Sequence, residues 1–328
     1  MTDSGKIHLV YILSASHSGS TLLSMLLGAH PEICTVGELK ATSLGDIDRY
    51  LCSCQEKIKE CQFWTGINHD MAKRGITFDI TNAGTDIRSG VSHYVLRILA
   101  PLHRGPFLEK IRDLALKLSP TWRTKLPRIQ SINTNLMECV LSRTGKKVIV
   151  DSSKIGIRLK YLLRNPSLDV KVIRLIRDGR GVTLTYMDPA QFADANDPRL
   201  RGGGTGDNRK MERLSIVDAT REWRRSNEEA EEILQRLDRS RWVEARYETL
   251  CTDTGNTLHR LFSFIGVDPA KAITDFRSVE HHIVGNGMRL DSTSEIRFDE
   301  RWKTALNAPD LKIFESEAGA MNERLGYK

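Results

Sequence analysis

With 328 residues, 40% of them hydrophobic, the chain is long enough to bury a sizeable core as one α/β domain carrying an insertion. The +7 formal charge and pI near 9.1 favour an anionic ligand, yet basic and acidic residues are interspersed and no long basic block stands out. A phosphate-rich small molecule therefore satisfies the charge as well as nucleic acid does. No stretch approaches the roughly 20 apolar residues of a membrane span and the N-terminal segment has no long apolar run, so a soluble, cytoplasmic protein without a membrane span is expected.

In chain order, His8 to Ser14 (HLVYILS) reads as a buried strand, and the segment from Gly19 (GSTLLSMLLGAHP) as a leucine-rich helix that stops before Pro31. Between them lies SASHSGSTLL, residues 14 to 23, a run of small and hydroxyl residues. Such a loop aims several backbone N–H groups and the positive end of a helix dipole at one point, which suits phosphate or sulfate. It is not the nucleotide loop G-x-x-x-x-G-K-[ST], because no lysine precedes Ser20 and Thr21 and Ser14 stands at the first glycine; this argues against an ATP or GTP hydrolase. The alternative is an ordinary N-capped helix.

Residues 40 to about 145 show helical apolar spacing at Val91, Val95 and Ile98 and again at Phe107, Ile111, Leu114 and Leu118, and are expected to be a mainly helical insertion, a candidate acceptor-side lid. Cys52, Cys54 and Cys61 cluster in it (LCSCQEKIKECQFW), without the paired CxxC knuckles of a strong zinc signal and with His69 as the nearest following histidine. Thiols without metal are the expectation; zinc ligands and a redox pair are the alternatives. A strand at Lys147 to Asp151 leads into a helix from about Lys154 to Arg164, closed by Asn165 and Pro166, and a further strand at DVKVIRLIR is again followed by a helix. Residues 188–212, with turn residues and a triple glycine, read as a mobile loop; Trp223, Ala230, Leu234 and Leu237 return to helical spacing. RWVEARYETL, residues 241 to 250, reads as a strand, and GNTLHRLFSFIGV behind it as a helix capped by Gly266. Strands alternating with helices predict one domain over residues 1–328, built on a parallel sheet covered on both faces.

Two segments carry a family resemblance. SHSGSTLLSMLLGAHPEICTVGEL resembles the 5′-phosphosulfate loop, R-S-G-[ST]-[ST]-L, and following helix of sulfotransferases that use 3′-phosphoadenosine 5′-phosphosulfate (PAPS). VIRLIRDGRGVTLTYM is similar to the family's 3′-phosphate motif, a strand-end arginine with a hydroxyl residue eight positions on, here Arg177 and Thr185. GEL at Gly37 to Leu39, DSSK at Asp151 to Lys154, RDGRG, and RYETL at Arg246 to Leu250 resemble the tyrosylprotein sulfotransferase branch and its bacterial relatives most closely.

The resemblance implies a P-loop-like α/β fold with a central parallel sheet flanked by helices. It implies an enzyme that moves a sulfuryl group from PAPS to an acceptor hydroxyl of a carbohydrate, a lipid or natural-product alcohol, or a peptide tyrosine, releasing PAP with no metal and no nucleic-acid partner. Ser16, His17, Ser18, Gly19, Ser20, Thr21 and Leu22 would surround the 5′-phosphosulfate, and Arg177 with Thr185 the 3′-phosphate. Glu38 falls where the branch has its catalytic base and Lys154 where it has a charge-neutralising lysine; Tyr247 matches a nucleotide-contacting tyrosine. Asn286 and Arg289, in HHIVGNGMR, fall where relatives place a loop closing over the nucleotide. Adjacent His281 and His282 point in different directions in regular structure and are not expected to pair on a metal. His17 departs from the family's arginine or lysine, and its titration enters the mechanism if it takes part. The rival readings are a kinase of the related fold, disfavoured by the missing lysine, and a non-catalytic PAP- or PAPS-binding protein, for which His17 argues.

Overall fold

Five strands, β1 (Ile7–Leu13), β2 (Ile33–Thr35), β3 (Val148–Lys154), β4 (Leu168–Ile176) and β5 (Trp242–Arg246), pair in the order β2-β3-β1-β4-β5, every pair parallel. This is a computed structural model that describes residues 5–40, 44, 47–87, 92, 94–95, 98, 106–192, 195, 200, 213–273 and 275–328. Its main helices in chain order are α1 (Ser20–Gly28), α2 (Gln62–Lys73), α3 (Pro106–Leu118), α4 (Pro120–Thr144), α5 (Gly156–Leu162), α6 (Gly179–Met187), α7 (Ile216–Leu234), α8 (Tyr247–Thr252), α9 (Thr254–Ile265) and α10 (Ala308–Arg324).

Parallel strands joined by helical crossovers must be buried on both faces, and β1 shows it. Leu9, Tyr11 and Leu13 point into one apolar cluster with α2, α4, α5 and α7, whereas Val10 and Ile12 point into another with α1 and α9. The chain leaves β1 for β2 and β3 on one side and crosses to β4 and β5 on the other. The strand order therefore reverses between β1 and β4; Leu13, the last residue of β1, lies opposite Arg174, and β4 runs two residues further to Ile176. In open parallel sheets the crevice beyond the carboxyl ends at such a reversal is where ligands bind.

The expected strands and the α/β architecture are present, and Gly266, with φ of 93°, ends α9 in the left-handed region as expected. Three expectations are corrected or extended. RYETL is not all strand: β5 stops at Arg246, and Tyr247 and Leu250 are buried together on one face of α8, a helical spacing. The short strand β2 is additional. Helix α3 forms, but Phe107, Ile111, Leu114 and Leu118 face outward, Phe107 being 73% exposed. Its buried side carries Glu109, Arg112 and Leu116, because Glu109 pairs with Lys160 of α5 at 2.6 Å and with Arg112 at 3.2 Å. Val91 and residues 193–194, 196–199 and 201–212 of the expected loop lie outside the described residues. Among the described residues no helix is long and apolar enough to cross a membrane.

A buried polar network joins the middle of β3 to the insertion. Arg158 of α5 donates to Asp151 Oδ2 at 3.0 Å, to Thr85 O at 2.8 Å and to Asn133 Oδ1 of α4 at 2.7 Å. Asp151 is wholly buried, so removing its guanidinium partner leaves an uncompensated charge in the interior. Arg158→Met is expected to lower unfolding free energy by about 3–5 kcal/mol, read as a fall in the urea midpoint; an unmoved midpoint contradicts the network.

Candidate functional site

β1 ends at Leu13 and the chain turns through Ser14–Gly19 into α1. Two residues of this loop take left-handed backbone, His17 at φ 64° and Gly19 at φ 88°. Glycine at 19 is also required by contact: a Cβ there would lie 2.5 Å from Cδ2 of Tyr247, whose ring packs against the loop. Gly19 is the N-cap of α1, so no side chain caps the first-turn amides; the ordinary side-chain cap is not what the loop builds. The hydroxyls of Ser14 and Ser18 are buried and find no hydrogen-bond partner among the described residues. Buried polar groups are otherwise almost always paired, so uncapped amides beside two orphaned hydroxyls make the loop a candidate anion site. Ser20 is buried at the helix start and Thr21 is partly exposed, while the Leu22 side chain belongs to the apolar core, leaving only its backbone to face a ligand.

The loop is clamped from β4. Arg177, the residue after that strand, donates through Nη1 to the carbonyl of His17 at 2.7 Å and through Nη2 to Asp299 Oδ2 at 2.9 Å. Its guanidinium lies over the Tyr247 ring, 4.3 Å from the centroid. Burial pushes the Asp299 carboxyl up, but hydrogen bonding from Arg301 and the Arg177 charge overcome it and hold the group well below the usual carboxylate range. Burial also raises the Tyr247 phenol; its hydroxyl accepts from Asp299 N at 3.3 Å. The His17 ring meets Tyr186 edge-on at 4.8 Å. A cavity of about 310 Å³ opens beside Arg177, lined also by Arg180, Asp299, Trp302 and Lys303.

Glu38 and Lys154 meet on the other side of the loop. Lys154 Nζ donates to Glu38 Oε1, and Lys40 Nζ lies 3.7 Å from Oε2. Burial alone would raise the Glu38 carboxyl; the ammonium of Lys154, then Lys40 and His17, outweigh it and hold it below its ordinary value. The backbone that aims Glu38 is pinned on both sides. Glu38 N donates to Val284 O at 3.3 Å, Leu39 N to Asp151 Oδ1 at 3.3 Å and Lys40 N to Ser153 Oγ at 3.0 Å. Gly37, at φ 80°, lets Val284 approach, since a Cβ there would be 2.2 Å from Val284 O. Lys154 is tied to the loop by Ser14 N, which donates to its carbonyl at 3.4 Å.

The other expected residues are placed differently. Thr185 is buried and donates to Gly181 O at 2.9 Å, back onto its own helix. Asn286 caps a short turn by accepting from Met288 N. Arg289 is buried over the Tyr50 ring and donates to Gly285 O at 2.7 Å, Asn286 O at 3.0 Å and Leu51 O, so it joins two loops. The segment that reaches Arg177 is instead RFDERWK, residues 297 to 303, whose Asp299 and Arg301 sequence reasoning missed; their signal was an alternation of charged and aromatic residues with no strand before it. The three clustered cysteines converge, joined by His282 and not by His69, which is exposed in α2.

No family model matches the chain. In sequence it is similar to human carbohydrate sulfotransferase 2, 23% identical over 264 residues, 70% of this chain and 47% of that protein; the chain spans about half the length of this curated relative. Among solved structures it is similar to the sulfotransferase domain from the curacin biosynthetic pathway (17% identity, TM-score 0.47, 98% of each chain) and to that of the Synechococcus PCC 7002 olefin synthase (18%, 0.44, 97% of each). Mouse sulfotransferase SULT7A1 complexed with PAP is a third (11%, 0.45, 98% of this chain and 90% of that one). The likeness found in sequence is to a carbohydrate sulfotransferase, and the tyrosylprotein branch itself is not shown.

Proposed function

We propose that the chain is a PAPS-dependent sulfotransferase: acceptor R–OH and PAPS give R–OSO3⁻, PAP and a proton. The observation that carries this reading is the convergence, beyond the β1 and β4 ends, of uncapped α1 amides, the orphaned Ser14 and Ser18 hydroxyls and the buried Arg177. Those groups fit a phosphosulfate: the amides and hydroxyls donate to its oxygens, and the absence of a Cβ at Gly19 lets Tyr247 press the loop into shape. PAPS supplies an activated sulfuryl group with a phosphate as leaving group, so the protein's part is alignment and charge compensation. Arg177, shared with Arg301 across Asp299, is the donor that a 3′-phosphate requires and a plain adenosine 5′-phosphate does not.

Glu38 accepts the acceptor hydroxyl's proton as the new O–S bond forms. Because Lys154 keeps it ionised, the base is ready at neutral pH without a prior proton loss. As Glu38 takes up the proton its hold on Lys154 weakens, and the ammonium turns to the charge developing on the leaving phosphate. His17, where the family carries a permanent cation, contributes its carbonyl to the Arg177 clamp. Similarity to a carbohydrate sulfotransferase favours a carbohydrate hydroxyl as acceptor over the lipid or tyrosine alternatives. We also assign the protein to the cytoplasm, where six unpaired cysteines persist.

Arg177→Ala is expected to weaken PAP binding about tenfold or more, as loss of charge-assisted hydrogen bonds does; calorimetric affinity equal to the parent's rules out this phosphate contact. Glu38→Gln is expected to keep PAP affinity while transfer falls by about 10²–10⁴-fold, and parallel loss of both removes the base assignment. In Lys154→Ala burial is no longer offset by the nearest ammonium, so the Glu38 carboxyl rises and the acid limb of the pH–rate profile moves to higher pH. A limb that stays in place while the rate drops separates Lys154 from Glu38.

A further inference from the structure

We propose that Cys52, Cys54, Cys61 and His282 form a structural zinc site. The three sulfurs and one imidazole nitrogen all lie within 4.8 Å of one another. Cys61 Sγ is 3.5 Å and Cys52 Sγ 3.9 Å from His282 Nδ1, and Cys54 Sγ is 3.7 Å from Cys61 Sγ. A tetrahedron with Zn–S of about 2.3 Å and Zn–N of about 2.0 Å has edges of roughly 3.5–3.8 Å, so the Cys61–His282 and Cys54–Cys61 separations match ligands around one ion and the whole set lies within about 1 Å of doing so. They are far longer than the S–S bond of about 2.0 Å in a disulfide. Three soft thiolates and an imidazole select zinc over magnesium, calcium or manganese. A full set of four protein ligands leaves no open position, which makes the site structural and not catalytic.

The backbone is built for this grouping. Ile58 N donates to Tyr50 O and Cys52 N to Glu56 O, while Gln55, at φ 68°, turns the chain and donates back to Cys52 O, so Cys52 and Cys54 sit on one tight hairpin. Cys61 is the N-cap residue of α2, directly after it. His282 comes from the far end of the chain and is held in orientation by three contacts. Its ring stacks on Phe63 at 4.3 Å and 6°, and its Nε2 meets Glu280 Oε1 at 3.2 Å, the carboxylate partner that metal-bound histidines usually have on their second nitrogen. Ser53 Oγ donates to His281 O and accepts from Ile283 N, bracketing His282 on both sides. Bound metal would fasten the start of the insertion to the strip containing Val284, the strip that holds the backbone of Glu38.

The test is metal content, read without nucleotide or acceptor, so it stands or falls separately from the sulfuryl-transfer reading. Protein expressed with added zinc and desalted is expected to carry one zinc per chain by plasma mass spectrometry, released by a mercurial as three thiols are titrated. The cobalt-substituted protein is expected to show tetrahedral and sulfur-to-cobalt bands. Cys54→Ser and His282→Asn are expected to lose stoichiometric zinc, Glu280→Gln to weaken retention about tenfold, and Cys251→Ser to match the parent. Should the ligand variants not fold, the wild-type zinc, thiol and cobalt readings decide alone. Zinc-loaded wild type that retains no metal, a Cys54–Cys61 disulfide in non-reduced peptide mass spectra, or undiminished zinc in folded ligand variants would overturn the site.

Discussion

One buried carboxylate sets the position of much of the candidate site. Asp151, with no exposed surface in the middle of β3, accepts from Leu39 N and Ser153 N through one oxygen and from Arg158 through the other. A charge in that position is tolerable only while all three partners are present. Those bonds fix where the chain runs after β2 and where it turns after β3. Glu38 and Lys154, one residue from Leu39 and from Ser153 respectively, are brought side by side by backbone geometry before their own ion pair adds anything. The pair itself then decides protonation, because Lys154 offsets the burial that would otherwise raise Glu38.

On the far side of β1 the same logic works through a cation. Arg177 spends one nitrogen on the carbonyl of His17 and another on Asp299, and rests its planar face on Tyr247, which in turn fills the space left by Gly19. Loop, strand end and C-terminal segment are thereby locked into one unit, and the residues left over are the orphaned Ser14 and Ser18 hydroxyls and the first amides of α1. Under the proposed function, donors held this rigidly would be organised for the anion before it arrives.

The sheet and the turn from β1 into α1 were legible in the sequence because their signals are local: continuous apolar runs make the strands, and small residues between strand and helix make the loop. β2 is only three residues long, too short for any periodicity, and α8 was hidden inside a strand-like run until Tyr247 and Leu250 fell on one face. The apolar stripe of α3 was read correctly as helical, yet a buried Glu109–Lys160 pair, invisible in a one-helix pattern, turns the opposite side inward. Motif matching brought Glu38 together with Lys154 and put Arg177 at the loop, but Thr185 bonds its own helix and Arg289 is used to join loops. The cysteines looked like stray thiols because their fourth partner, His282, is separated from Cys61 by 221 positions and only the fold closes that distance.

The central claim is that the β1–β4 crevice recognises a nucleotide through its 3′-phosphate. Its most direct test is calorimetric titration of the purified protein, without added metal, with PAP and with adenosine 5′-monophosphate, which differ only in that group. The account predicts that PAP binds about tenfold or more tightly than the monophosphate. Equal affinity, or binding of neither, would contradict it.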